Sequence, residues 1–179
     1  MSYEAAPSPY EQPAHPPPVV PIPYARWGRR VAGRLLDALF EFLATLPVFI
    51  GFIVMFATAD YVDRPDGSTD IHMNDAGATI GGILIAFGFL LALAFWIWNV
   101  FVRQGSTGYT LGKSVVGIKL IKISTGAPIC GGWAFLREIL HTLDSALLYL
   151  GWLWPLWDRK RQTFADKIVE TVVIVQRPE

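Results

Sequence analysis

The stretch Arg30-Val-Ala-Gly-Arg-Leu-Leu-Asp-Ala-Leu-Phe-Glu-Phe42 opens a long apolar segment, yet it carries Arg30, Arg34, Asp37 and Glu41. Intervals of four and three residues place these groups on one face of a helix. Hydrocarbon penalises such groups unless they pair or face protein or water. The remaining chain therefore has to supply partners for this face, or a wet path beside it.

The chain has 179 residues, enough for one modest domain. Apolar residues make up 53% and charged residues 17%, below the roughly 25% charged usual for soluble domains. The composition points to a membrane protein. Formal net charge is zero, so overall charge implies no nucleic-acid partner. Cys130 is the single cysteine, which excludes an intrachain disulfide and a cysteine-rich metal site. No basic n-region runs straight into an apolar h-region at the start, so a cleaved signal peptide is not expected.

Residues 1–23 are proline-dense, with Pro16, Pro17 and Pro18 in a row, and read as a disordered or polyproline II cytoplasmic tail. Such a tail could engage an SH3-like or WW-like partner; a solvated tail is the preferred reading. Arg26-Trp27-Gly28-Arg29-Arg30 reads as the cytoplasmic interface of a first membrane helix over 31–58, with a kink at Pro47. Asp60 to Asp75 is a polar loop placed outside the cell. It lacks the glycine position and terminal glutamate of an EF-hand.

A second crossing is expected over 79–102, a run without charge in which Asn99 is the only strongly polar side chain. Gly77 with Gly81, and Ala78 with Gly82, permit close helix approach. Arg103, Lys113, Lys119 and Lys122 place the next segment back in the cytoplasm. A strand is expected over 115–123. Gly112-Lys113-Ser114 mimics the end of a phosphate-binding loop, but Thr107 stands where its first glycine belongs, so no nucleotide is expected.

The third apolar segment, 134–157, repeats the opening pattern. Arg137, His141 and Asp144 have the spacing of Arg30, Arg34 and Asp37. Three full crossings would leave the tail outside, yet Asp158-Arg159-Lys160-Arg161 is basic and favours the cytoplasm. Two readings stay open, a third crossing or a re-entrant hairpin broken at Gly151 and Pro155. A final strand over 170–175 finds its natural partner in 115–123. The expected fold class is an all-α integral membrane protein with two transmembrane helices, a third spanning or re-entrant segment and a small cytoplasmic β element. The membrane domain covers 26–175.

Four pieces resemble the RDD family of small integral membrane proteins. They are Arg30-Val-Ala-Gly-Arg-Leu-Leu-Asp37, Gly105-Ser-Thr-Gly-Tyr-Thr-Leu-Gly-Lys-Ser-Val-Val-Gly-Ile-Lys119, Leu136-Arg-Glu138, and Trp157-Asp-Arg-Lys-Arg-Gln-Thr-Phe-Ala-Asp-Lys-Ile-Val-Glu-Thr-Val-Val173. The resemblance puts the family arginine on Arg30 and its first aspartate on Asp37. The second aspartate falls on Asp166, with Asp158 as runner-up. Ala165 stands where the family often has histidine, and the glycine-threonine stretch offers two starts, Gly105 and Gly108. The resemblance implies a membrane domain. It also suggests ion or small-ligand transport, because some members resemble sodium/proton antiporters in activity.

Two functions follow for the charged set Arg30, Arg34, Asp37, Glu41, Arg137, His141, Asp144, Asp158 and Asp166. In the first, Asp37 and Asp144 take up a proton or cation along a transport path, His141 relays protons, and Arg34 compensates Asp37. In the second, the set fixes helix packing in a membrane scaffold, assembly factor or lipid-binding protein, with Arg30 and Arg137 reaching the headgroups. An enzyme is not expected, since no nucleophile is positioned beside a base. Neither a cofactor nor a metal is implied. The expected partners are membrane lipids and further copies of the chain, at the cell membrane, with the N-terminus cytoplasmic.

Overall fold

A computed structural model describes residues 22–178. The proline-rich tail, apart from its last two residues, lies outside them. The elements in order are α1 (Trp27–Ala44), α2 (Leu46–Ala57), β1 (Asp60–Asp63), β2 (Thr69–His72) and α3 (Asp75–Trp96). A π-helical segment (Ile97–Arg103) and α4 (Gln104–Thr107) extend α3. Then come α5 (Leu111–Val116), β3 (Ile118–Lys122), α6 (Cys130–Ala146), α7 (Leu150–Leu153), a 3-10 turn (Trp154–Leu156), α8 (Phe164–Ile168) and β4 (Thr171–Val175).

Two helical runs, Trp27–Ala57 and Asp75–Thr107, are long and apolar enough to cross a membrane. The first begins earlier than the expected 31 and breaks at Thr45, just before the proline. Pro47 lacks an N–H and its ring crowds the carbonyl one turn back, so α2 restarts with proline in its first turn. The second run starts at Asp75 because Asn74 caps it, its side chain accepting from the amides of Ala76 and Gly77.

Small residues let α2 and α3 touch. A Cβ on Gly81 would lie 2.7 Å from the Gly51 carbonyl oxygen, whereas one on Gly82 would meet nothing within 4 Å. Of the expected small-residue pairs, the Gly77/Gly81 pair makes the close approach. Gly81→Val is expected to destabilise the protein by about 1–3 kcal/mol through overpacking against backbone. Gly82→Ala should change the same unfolding midpoint little; equal losses in the two variants would remove this reading.

The acidic loop contains a hairpin. β1 and β2 pair antiparallel, from Asp60 opposite His72 to Asp63 opposite Thr69, with Arg64 bridging to Asp70 at 2.5 Å.

Residues 111–116, expected in part as strand, are helical. Thr110 caps α5 by accepting from the Lys113 amide, and Gly117 ends it in the left-handed region at φ 66°. These two local signals override the strand preference of Val115 and Val116. The strand that follows is confined to Ile118–Lys122 and pairs antiparallel with β4, from Ile118 opposite Val175 to Lys122 opposite Thr171.

The N-terminal segment joins the other edge of β4. The Ala25 amide donates to Val173 and the Val175 amide to Pro23. Ala25, Ile118, Leu120, Ile129, Ala134 and Val173 form the buried core beneath. Residues 23–25, 118–122 and 171–175 therefore lie at one end of the helical bundle.

The third apolar segment folds back on itself. α6 ends at Ala146, and Leu148 and Tyr149 take positive φ to reverse the chain into α7. Gly151 permits the fold-back, since a Cβ there would lie 2.5 Å from the Asp144 Cα. α8 then packs on α6 and delivers β4 to β3. The fold-back has the shape expected of the hairpin alternative, although the chain turns at Leu147 to Tyr149, ahead of the expected breaks at Gly151 and Pro155.

Candidate functional site

The charged residues sort into three connected clusters at the sheet end of the bundle. The first surrounds Asp37 on α1. Its Oδ1 accepts from Asn99 Nδ2 at 3.0 Å and from the Gly112 amide at 2.8 Å; its Oδ2 accepts from Thr110 Oγ1 at 2.6 Å. Asn99 also accepts from the Leu111 amide at 2.8 Å. The π-helical segment that carries Asn99 also carries Arg103, which donates to Ser114 Oγ at 2.8 Å and to the Tyr109 carbonyl at 3.1 Å. Asn99 and Arg103 thus tether α5 to the end of the second long helix. The expected pairing of Arg34 with Asp37 is not formed. Arg34 reaches across to Glu138 on α6 at 2.7 Å, because Asp37 is already saturated by neutral donors from other elements.

The second cluster centres on Asp166, fully buried in α8. Arg30 Nη1 meets Oδ2 at 2.6 Å, while Arg137 meets Oδ1 through Nε at 2.8 Å and Nη2 at 2.7 Å. Asp166 also closes a capping box with Thr163 and accepts from Thr171 Oγ1 at 3.3 Å. Burial alone would raise this carboxyl, but the guanidiniums of Arg137 and Arg30 outweigh it and hold the group well below the ordinary carboxylate range. Arg30 and Arg137 thus meet on one buried carboxylate, Arg30 through Nη1 alone.

The third cluster holds Asp144. Its Oδ2 lies 2.6 Å from His141 Nδ1, and its Oδ1 accepts from the Phe164 amide at 2.9 Å and the Ala165 amide at 3.4 Å. The His141 ring stacks on Trp152, with centroids 4.4 Å apart. Asp158 stands apart near the surface, bound to Lys167 at 2.7 Å and to the amides of Lys160 and Gln162. It does not meet Arg30. Glu41, half-buried a turn beyond Asp37, has no ion pair among the described residues.

These clusters show a duplication only half visible in the sequence pattern. One constant offset carries Thr110 onto Thr163, Gly112 onto Ala165, Lys113 onto Asp166, and Ile118–Lys122 onto Thr171–Val175. Both threonines cap a short helix by accepting from the third amide on. Both helices stop at a positive φ, at Gly117 and Glu170, and enter a strand. Each of the two aspartates at the repeated helix spacing, Asp37 and Asp144, takes amides from the start of the short helix in its own half. The β3–β4 register is symmetric about Leu120 opposite Val173, as two-fold related strands require.

Among the positions where the two halves differ, one reverses a buried charge. Where the second half has Asp166, the first has Lys113, whose ammonium contacts the side-chain oxygen of Gln104. Burial, with Arg137 and Arg34 nearby, pushes Lys113 down to about 7 against the opposing pull of Asp37 and Glu138. The folded protein then releases a proton that the unfolded chain keeps between about pH 7 and 10.5, so stability rises with pH across that window. Lys113→Met is expected to stabilise the protein most below about pH 7 and to flatten this rise. Unfolding curves collected across the window check it; an unchanged slope in the variant counts against it.

Between α1 and α6 lies a cavity of about 250 Å³, lined among others by Arg30, Arg34, Asp37, Lys113, Arg137, Glu138 and His141. Glu138, Lys113, Thr110, Gly112 and Thr163 were not among the sequence candidates. For Thr110, Gly112, Lys113 and Thr163 the signal was the threonine-capped repeat; Glu138 has no part in it and enters through Arg34.

No solved structure matches the chain. The proline-rich antigen of Mycobacterium leprae (strain TN) is 37% identical over 155 residues, covering 84% of this chain and 61% of the relative. The proline-rich antigen homolog of Mycobacterium tuberculosis (strain ATCC 25618 / H37Rv) is 35% identical over 159 residues, covering 84% and 63%. The chain thus spans less than two thirds of the length of these relatives. The family model described as RDD family matches residues 24–170, which takes in all three charged clusters, and the chain belongs to the RDD family.

Proposed function

We propose that this RDD protein is a multi-pass protein of the cell membrane that acts as a rigid membrane-embedded platform for binding and assembly. In this reading α1–α2 crosses outward, the β1–β2 hairpin lies outside, and α3 with its π-helical extension crosses back. The α6–α7 hairpin dips into the bilayer and returns. Basic residues gather at the sheet end, including Arg26, Arg29, Arg103, Lys119, Lys122 and Arg159 to Arg161, and they favour the cytoplasm. The outward apolar faces, such as Phe49, Ile53, Phe89, Leu90 and Leu93, suit contact with lipid chains.

The observation that carries this reading is the saturation of Asp37. Both of its oxygens are held by protein donors, and a passing cation would have to displace Asn99, Thr110 and the Gly112 amide together. Small-solute transport is the second reading, favoured by the cavity that reaches Asp37. Flux of sodium, potassium and protons into proteoliposomes separates the two. The platform reading expects wild type and Asp37→Asn to match empty liposomes. Cation flux in wild type that disappears in Asp37→Asn overturns it. A tag after Glu179 should be accessible only from the side that also exposes the N-terminus.

A further inference from the structure

The cavity between α1 and α6 has more cationic donors than the protein uses. Arg30 and Arg137 share one carboxylate, Asp166, so two guanidiniums are matched by a single negative charge. Arg30 gives that carboxylate only Nη1. Its Nε and Nη2 are closed off from water and have no hydrogen-bond partner among the described residues, so a ligand in the cavity reaches them only as the Arg30 side chain turns. Lys113, which also lines the cavity, is bonded to an amide oxygen rather than to an acid. Buried unsatisfied donors on a charged group are costly, and a phosphate oxygen would satisfy them with charge-assisted bonds.

The remaining walls restrict what can carry that phosphate. The volume, about 250 Å³, is below the roughly 300–1,000 Å³ of most small-molecule sites, so it fits a headgroup. Trp27, Val31, Leu35, Trp152 and Pro155 make much of the lining apolar. Leu35 is 65% exposed and leads outward onto Leu39 and Phe42, one and two turns further along the same face of α1. An acyl chain could follow this stripe from the cavity mouth.

We propose that the α1–α6 cavity binds the phosphate of an anionic phospholipid, with Arg30 Nε and Nη2 as its principal donors, Lys113 beside them, and an acyl chain along Leu35, Leu39 and Phe42. The site rests on the membrane reading above, but its occupancy is measured in micelles, where neither flux nor topology enters the readout.

Full-length protein in a neutral detergent is titrated with phosphatidylglycerol, with phosphatidylcholine, and with glycerol phosphate, which has the phosphate without the chains. Native mass spectrometry counts bound molecules. Saturable retention of one phosphatidylglycerol in preference to the other two is expected. Arg30→Lys keeps an ion pair for Asp166 but loses the two free nitrogens, and should weaken retention about tenfold or more. Leu35→Asp, on the outward face, should weaken it comparably without disturbing the core. Retention unchanged in both variants, or equal retention of phosphatidylcholine, overturns the site. Glycerol phosphate binding as tightly as phosphatidylglycerol overturns the lipid assignment in favour of a soluble phosphate ligand.

Discussion

Asp166→Asn is expected to destabilise the protein by about 3–5 kcal/mol, the range for removing one partner of a buried ionic cluster. The variant leaves the guanidiniums of Arg30 and Arg137 facing each other across a neutral amide, in a buried site where solvent screens them little. The new side chain has one acceptor oxygen where Asp166 has two, so either Arg137 or the Thr163 amide loses its partner; the Thr163 hydroxyl still caps the amide of residue 166, and the start of α8 is weakened. Because α8 delivers β4 to the sheet, the loss propagates to the pairing with both β3 and the N-terminal segment. Asp158→Asn is the contrast. Its lysine partner is 42% exposed, and removing the pair should cost within about 1 kcal/mol. Reversible unfolding of both variants in one detergent gives the comparison. Similar losses at the two positions would falsify the central role of Asp166. Replacing Arg30 and Arg137 by methionine together with Asp166→Leu should recover much of the stability, since an apolar substitute escapes the desolvation cost of all three charges.

The sequence exposed the helices and the repeated charges, because both depend on local spacing. Arg30, Arg34 and Asp37 match Arg137, His141 and Asp144 position for position, and the structure gives the two helices corresponding tasks. What spacing could not provide was the partner of each charge. Asp37 has Arg34 within one turn, yet its bonds go to Asn99, Thr110 and Gly112, far away in the chain. Proximity along a helix makes a pair available, but prearranged amide and hydroxyl donors need no long side chain to be ordered.

The second half of the repeat escaped for a different reason. Lys113 and Asp166 differ in charge, and Gly112 and Ala165 differ in identity. What is shared is a threonine cap, a left-handed stop and a strand, a pattern of backbone conformation more than of residues. The π-helical turn beneath Asn99 leaves no local signature at all. The hairpin was legible only as one of two alternatives, because the argument for it lies in how closely Gly151 lets α7 approach Asp144.

Gly112 gives the second large effect. Gly112-Lys113-Ser114 looked like a fragment of a phosphate loop, and its backbone does what such loops do: an amide at the start of a helix holds an anion. Here the anion is the Asp37 carboxylate of the same chain, 2.8 Å away. The approach leaves no room for a side chain. A Cβ on Gly112 would overlap the Gly33 carbonyl oxygen and lie 2.9 Å from the Asp37 Cγ, both on α1. Gly112→Ala must therefore push α5 off α1 and draw the amide away from Asp37. Overpacking against backbone and the lost charge-assisted bond together make the expected cost about 3–5 kcal/mol. The related position in the other half already holds Ala165, fully buried, so Ala165→Gly should cost only about 1 kcal/mol. Unfolding of the two reciprocal variants tests the duplication as well as the contact. If the halves were only superficially alike, there would be no reason for one to demand glycine at the point where the other accepts a methyl group. A mild Gly112→Ala variant would show that α5 can leave Asp37 freely, and would return that carboxylate to the list of groups able to meet an ion.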